Sequence, residues 1–349
     1  MSGVVPILSR RRVGAALLAP AAAALAPYPS RAQPAAAPLA EVLQQAAALT
    51  RLHTLIVLRD GEILAERTFR GAPPDRAVNI KSASKSVLAI LVGIAIERGV
   101  LQGPDQPLVS VLGNRVPPEA DPRVRDITIA HLLSMRAGLE RTSGENYGAF
   151  ANSRDWVRFI LSRPMAAEPG GPMLYSTGST HLLSAALTRA SGRSTLDLAR
   201  DWLGGPLDIA IPPWPRDPQG IYFGGNDMLL SPRALLRFGE MLRLGGRWRG
   251  RTVVSQDWIR ASWSPQARSP WSGQLYGLGW WIGQARGESG THPVFFAWGY
   301  GGQMLYIVPE LALTVVMTSD PTGPRAPEHT AALHGLLAQG IVPAAERLA

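Results

Sequence analysis

The chain has 349 residues, with 46% hydrophobic and 17% charged side chains, which suits a globular protein of one large domain or two interdigitated ones and excludes a disordered chain. It contains no cysteine, which rules out disulfides, thiolate nucleophiles and thiolate metal sites. The net charge of +9 is spread over scattered arginines with no basic stripe and interleaved aromatics, so a nucleic-acid partner is not expected.

Residues 1–32 read as an export signal. Ser9-Arg10-Arg11-Arg12-Val13 is close to a twin-arginine pattern, an apolar stretch runs from Val13 to Pro27, and Ser30-Arg31-Ala32 offers small residues for cleavage near Ala32. The apolar run is Ala-rich, broken by proline and shorter than the roughly 20 residues a membrane span needs, so no stable anchor is expected. The expectation is a periplasmic or secreted protein; a mature N-terminus at Met1 or Ser2 would contradict it. Removal of the segment leaves 31 basic against 26 acidic residues.

From there, residues 33–50 predict an Ala-rich helix. Thr54–Leu58, Arg59-Asp60-Gly61 and Glu62–Phe69 predict a β-hairpin, with Asp-Gly at its turn. Ser82–Arg98 is apolar nearly all round and predicts a buried helix closed by Gly99. Residues 103–225 predict a mainly helical insertion, with candidate helices at Ile127–Ala137, Ser153–Ser162, Thr180–Ser191 and Leu196–Leu203. Pro232–Leu244 adds a helix. Strands are predicted at Gly279–Gly283, Gln303–Val308 and Ala312–Thr318, and a last helix at Ala326–Gln339. The N-terminal hairpin must pair with the C-terminal strands to form a useful sheet. The expectation for 33–349 is therefore one α+β unit: an antiparallel sheet built from both chain ends, flanked by helices, with a helical region inserted between them.

Three elements could carry chemistry. Only two of the 35 basic residues are lysine, Lys81 and Lys85, and a lysine can lose its proton where arginine cannot. Ser82-Ala83-Ser84-Lys85 spaces a serine and a lysine by nearly one helical turn, so both face one side. Helix-end N–H groups would steady an oxyanion there, and a buried Lys85 could take the proton of Ser82. Tyr175-Ser176-Thr177-Gly178 lies on a loop entering a helix, where a phenol could relay protons. Ala297-Trp298-Gly299-Tyr300-Gly301-Gly302-Gln303 has glycines that let backbone approach a ligand closely. The plainer readings are an N-cap serine, a loop tyrosine and a tight turn.

In order and surroundings these elements resemble the β-lactamase-related serine hydrolases: class C β-lactamases, D-Ala-D-Ala carboxypeptidases, family VIII esterases and 6-aminohexanoate-dimer hydrolases, the last branch being most similar. The resemblance covers roughly residues 40–340 and rests on KSASKSVLAILVGIAIERG, ITIAHLLSMRAGLE, EPGGPMLYSTGSTHLLSAAL, GGRWRGRTVVSQDWI, YGLGWW and AWGYGGQMLYIVPELALTVV. It implies a β-lactamase/transpeptidase-like fold, an acyl-enzyme on Ser82, Lys85 as its base, Tyr175 as proton shuttle, and the N–H groups of Ser82 and Tyr300 as oxyanion hole. It also puts Tyr147 in a substrate-contacting loop with Asn146. Two departures matter. Thr177 stands where the family's Tyr-x-Asn element has asparagine, and Ala297-Trp298-Gly299 stands in place of Lys-Thr-Gly.

The missing lysine argues against a β-lactamase or cell-wall carboxypeptidase and for an ester or amide that is uncharged or whose charge is met elsewhere. A binding protein without activity is the other alternative. Trp280 and Trp281 are either pocket wall or core. The histidines show no metal spacing, so no metal or other cofactor is expected, and no protein partner is required.

Overall fold

The computed structural model describes residues 37–348; the export segment expected over 1–32 and the first residues of the Ala-rich helix lie outside them. That helix runs over Ala40–Ala48. Among the described residues the strands are β1 Leu52–Arg59, β2 Glu62–Thr68, β3 Val78–Asn79, β4 Leu229–Leu230, β5 Arg247–Trp248, β6 Arg251–Thr252, β7 Ala267–Arg268, β8 Leu275–Tyr276, β9 Trp281–Arg286, β10 Thr291–Gly299, β11 Gln303–Val308 and β12 Leu313–Ser319.

Eight of them form one sheet in the order β2-β1-β12-β11-β10-β9-β8-β7, antiparallel throughout. The N-terminal hairpin joins it through β1 against β12, with Leu55 opposite Met317 and Val57 opposite Val315. The sheet is thus built from both chain ends, and the α+β unit expected from the sequence is what the residues form.

Strand alternation explains why the sheet is covered on both faces. Ile56, Leu58, Leu305, Ile307 and Val316 point into a core shared with the helix Ser84–Glu97. Leu55, Val57, Tyr306, Val315 and Met317 point into a second core under Ala40–Ala48 and the C-terminal helices. The runs Gln303–Val308 and Leu313–Ser319 are buried at every position, which matches their unbroken apolar character.

The helix Ser84–Glu97 is buried from Ser84 to Ala95, as its all-round apolar surface requires. Between 103 and 225 the regular elements among the described residues are helical. The short pair β3–β4 matters most for function. It bonds Val78 and Asn79 to Leu230 and Leu229, which lays the segment 224–228 against the turn that carries Ser82.

Several elements depart from their predicted bounds. Ile127–Ala137 contracts to Ile129–Leu133, because Thr128 caps the N-terminus and Met135 adopts a left-handed φ of 62°. The Gly279–Gly283 strand starts only at Trp281, after a turn at Gly279. The final helix keeps α geometry over Pro327–Gly335 and widens into a π-helical stretch, Leu336–Ile341, ahead of Pro343, which has no N–H for the ladder. The strand β10 was not anticipated, since Pro293 sits inside it.

Candidate active site

The SxxK serine sits one turn ahead of the α-helix proper. Lys81–Ala83 is a 3-10 turn, and Lys81 takes a left-handed φ of 49°. The Lys81 N–H donates to Asn79 Oδ1 at 2.8 Å, and Ser84 Oγ bonds back to the Lys81 carbonyl while accepting from Met228 N–H at 3.2 Å. Those bonds fix a strained backbone just before Ser82. Ser82 makes no cap: its hydroxyl faces Lys85, whose Nζ lies 3.1 Å from Ser82 Oγ.

Lys85 is 2% exposed. Its Nζ also donates to the Gly225 carbonyl at 2.7 Å and to Thr177 Oγ1 at 3.3 Å. Burial pulls the ammonium down from 10.5 to about 7, against the opposing charge of Asp227. Gly225 is required where it stands. Its φ is +74°, and a Cβ there would fall 2.7 Å from Lys85 Cγ and 2.4 Å from Thr180 Oγ1. The segment is held from behind: Gly224 N–H donates to His181 Nδ1 at 3.3 Å, which leaves His181 Nε2 to donate to Asp217 at 3.1 Å.

The Tyr175 phenol lies beside Ser82, and its ring lies 5.2 Å from Lys85 Nζ. Burial raises the phenol from 10.0 to about 12, which the neighbouring Ser82 hydroxyl only partly offsets. The ring stacks on Trp281 at 5.8 Å and meets Trp271 and Tyr276 edge-on. At neutral pH the cluster therefore holds a lysine able to be free base beside a phenol that keeps its proton.

The three predicted central residues, Ser82, Lys85 and Tyr175, are brought together. Thr177 joins them through Lys85 and is fixed by Ser143, whose Oγ lies 3.0 Å from Thr177 Oγ1 and accepts from the Thr177 N–H at 2.9 Å. Gly299 packs against the Ser82 turn: a Cβ there would lie 2.2 Å from the Ile80 carbonyl oxygen and 3.1 Å from Lys81 Cβ, so only bare backbone fits. Tyr300 follows at the end of β10, 45% exposed, with its hydroxyl donating to the Gly323 carbonyl. Tyr147 sits apart from this group, its hydroxyl accepting from Asn226 Nδ2 at 3.0 Å.

A cavity of about 400 Å³ opens on Ser82 and Tyr175, walled by Trp271, Trp281, Trp298 and Tyr300. The tandem tryptophans divide: Trp281, the first residue of β9, faces the cavity, and Trp280, just before the strand, is fully buried in the core. Tyr147, Thr177 and Gly299 are not on the cavity wall. Sequence reasoning missed Gly225 and Asp227. Asp227 accepts from Lys81 Nζ at 3.0 Å and from Asn79 Nδ2 at 2.8 Å. The only signal for them was the Gly224-Gly225-Asn226-Asp227 run, itself a turn signature.

An open antiparallel sheet built from both chain ends, a buried helix headed by a serine and a lysine, and a helical region facing the sheet define a β-lactamase-fold hydrolase. The chain belongs to the Beta-lactamase family, whose sequence model matches residues 39–339. It is 26% identical over 312 residues to the 6-aminohexanoate-dimer hydrolase of Paenarthrobacter ureafaciens, covering 79% of this chain and 74% of that one.

Among solved structures it is similar to EstCE1, a hydrolase with promiscuous acyltransferase activity, with a TM-score of 0.70 at 17% identity, covering 86% of this chain and 97% of that one. It is also similar to a D-stereospecific amidohydrolase from Streptomyces sp., with a TM-score of 0.67 at 16% identity, covering 88% and 99%. These structural likenesses concern the fold.

Proposed function

We propose that the protein is a serine hydrolase that cleaves an ester or amide through an acyl-enzyme on Ser82. The observation that carries this reading is the buried Lys85 Nζ, 3.1 Å from Ser82 Oγ and drawn to about 7. A serine hydroxyl needs a base to become nucleophilic, and a lysine near neutrality is one.

In this mechanism Ser82 Oγ attacks the carbonyl carbon while its proton passes to Lys85 Nζ. The backbone N–H groups of Ser82 and Tyr300 receive the oxyanion, which the close seating of Gly299 against the Ser82 turn favours. As the carbonyl re-forms, the bond to the leaving oxygen or nitrogen breaks, and that atom takes the proton of Tyr175. The phenolate regains a proton from Lys85. Water then attacks the acyl carbon and gives a proton to Lys85; as that adduct collapses, the bond to Ser82 Oγ breaks and Oγ takes this proton from Lys85 Nζ.

Ala297 stands where the family has the lysine that holds the carboxylate of penicillins, which disfavours β-lactam hydrolysis and D-Ala-D-Ala carboxypeptidation. Kinship with a 6-aminohexanoate-dimer hydrolase and the aromatic cavity support short amides or esters instead. The test is a fluorophosphonate probe on the purified protein beside Ser82→Ala, with the modified residue read by mass spectrometry. Labelling at Ser82 alone is expected. An unlabelled wild type would overturn the reading in favour of a binding protein.

A further inference from the structure

We propose that Lys81 and Asp227 are positioning residues for the base: their ion pair latches the serine turn to the segment that holds Lys85, and it presents Lys85 with a neutralised carboxylate in place of a bare one. Their effect on catalysis rests on the serine-hydrolase reading; their effect on Lys85 does not.

The seam between the two segments starts at two strained positions. Lys81 and Asp227 both adopt a left-handed φ, 49° and 58°. Asp227 Oδ1 accepts from Lys81 Nζ at 3.0 Å and from Asn79 Nδ2 at 2.8 Å, while Asn79 Oδ1 accepts from the Lys81 N–H at 2.8 Å. One residue further on, the Met228 carbonyl accepts from the Ile80 N–H at 3.0 Å, and the Met228 N–H donates to Ser84 Oγ at 3.2 Å. Both sides of the seam belong to the site. Ser82 follows Lys81 directly, and Gly225, whose carbonyl accepts from Lys85 Nζ at 2.7 Å, lies two residues before Asp227. A shift at the ion pair therefore moves nucleophile and base relative to each other. Neither Lys81 nor Asp227 lines the cavity that opens on Ser82, so substrate contact does not explain the pair.

The pair also sets the charge that Lys85 meets. Asp227 attracts the Lys85 ammonium against the effect of burial, and it raises the Tyr147 phenol, whose hydroxyl is bonded to Asn226. Around Lys85, Ser82 and Thr177 are neutral hydroxyls, and Tyr175 keeps its proton up to about 12. His181, behind Gly224, is bonded to Asp217. Lys81 in contact with Asp227 offsets part of the carboxylate's pull, since the two opposite charges largely cancel at a distance. Both side chains are partly buried, which limits screening by salt. The two halves of the pair thus act on Lys85 in opposite senses. Without the Lys81 charge the bare carboxylate favours the ammonium; without the Asp227 charge the bare Lys81 favours the free base. This gives the second lysine of the chain a task that the acyl chemistry itself does not use.

The experiment exploits the lysine count. Lys81 and Lys85 are the only lysines in the chain, so protein grown on lysine labelled with 13C at Cε shows two such signals, and Lys81→Gln leaves one. The Lys85 signal is followed against pH in wild type, Lys81→Gln, Lys81→Arg and Asp227→Asn. Its midpoint should rise by about half a pH unit or more in Lys81→Gln and fall by a similar amount in Asp227→Asn. Lys81→Arg, which keeps the charge, should restore the wild-type midpoint. Asp227→Asn is isosteric and keeps an oxygen able to accept both hydrogen bonds, so it tests the charge even if Lys81→Gln fails to fold. A loosened site would admit water and raise the midpoint in both variants. Midpoints that move in the same direction, or that move in neither variant, would overturn the proposal.

The acid limb of phenyl acetate hydrolysis should follow the same midpoints, so that at about pH 6 Lys81→Gln loses roughly threefold in kcat/KM relative to its own value at high pH. A Lys85 signal that titrates as expected in a protein that cleaves no ester and takes up no fluorophosphonate would refute the serine-hydrolase reading alone.

Discussion

At the scale of single residues, Lys85 and Tyr175 are separated by what surrounds them. Burial acts on both, but it disfavours the charged form, so it lowers the ammonium to about 7 and raises the phenol to about 12. Hydrolysis should therefore rise with pH through about 7, as Lys85 loses its proton. An initial-rate profile flat across that region would remove Lys85 as base.

Lys85→Arg keeps the charge but cannot supply a free base, so kcat/KM should fall by roughly 10²–10⁴; a mild loss would make Lys85 an electrostatic aid only. Tyr175→Phe should lower kcat by a similar factor, roughly 10²-fold or more, with little change in KM. A kcat left intact would take the phenol out of proton transfer. These residues were legible in the sequence because their types are chemically rare here and their spacing is local: two lysines in the chain, one of them a helical turn from a serine. Gly225 and Asp227 were not, because they meet Lys85 and Lys81 only after 140 and 146 residues of intervening chain have folded.

At the scale of elements, the base is aimed by a segment with no regular structure. The β3–β4 pair and the His181–Asp217 bond hold residues 224–228 from two sides, and the Gly225 carbonyl takes one of the Lys85 protons. Gly225→Ala places a methyl against Lys85 and Thr180 and must push one of them away. A displacement on the order of 1 Å at a catalytic group costs about 10²-fold. The expected variant is folded by circular dichroism, slow in turnover, and weakly labelled by the fluorophosphonate; full labelling would show that the segment does not position Lys85.

The long apolar elements were legible from pattern: Gln303–Val308 and the helix Ser84–Glu97 fall where periodicity puts them. The boundaries that failed did so at single backbone decisions. Met135 at positive φ ended one helix, Gly279 delayed one strand, and Pro293 hid β10, tolerated there because β11 pairs with β10 only from Phe295 onward and leaves that side unpaired at 293.

At the scale of the whole molecule, the C-terminal segment is tied back to the β9–β10 turn. His292 Nε2 lies 3.0 Å from Glu346 and Nδ1 lies 2.9 Å from Glu310. Glu346, and then Glu310, raise His292 above its ordinary 6.5, while hydrogen bonds from Ser289 and His292 hold Glu346 down to about 2. A histidine raised on folding contributes stability that is complete below the unfolded value and fades as pH climbs through the folded one. The melting temperature of His292→Gln should therefore fall short of wild type most at about pH 6 and least at about pH 9. A deficit independent of pH would show the contact to be packing alone.

The general architecture could be read from the order of elements, short β, long α, then β. The strand order could not, because it depends on which edge each hairpin finds. The pairing of β1 with β12 has a consequence for biosynthesis. β1 has β2 on one side at once, but its other edge waits for Leu313–Ser319, the last of the described strands to be made. Until then the nascent polypeptide carries an open strand edge and a helix, Ser84–Glu97, without the sheet it packs on. Such long-range pairing folds slowly and leaves the emerging chain dependent on protection from aggregation.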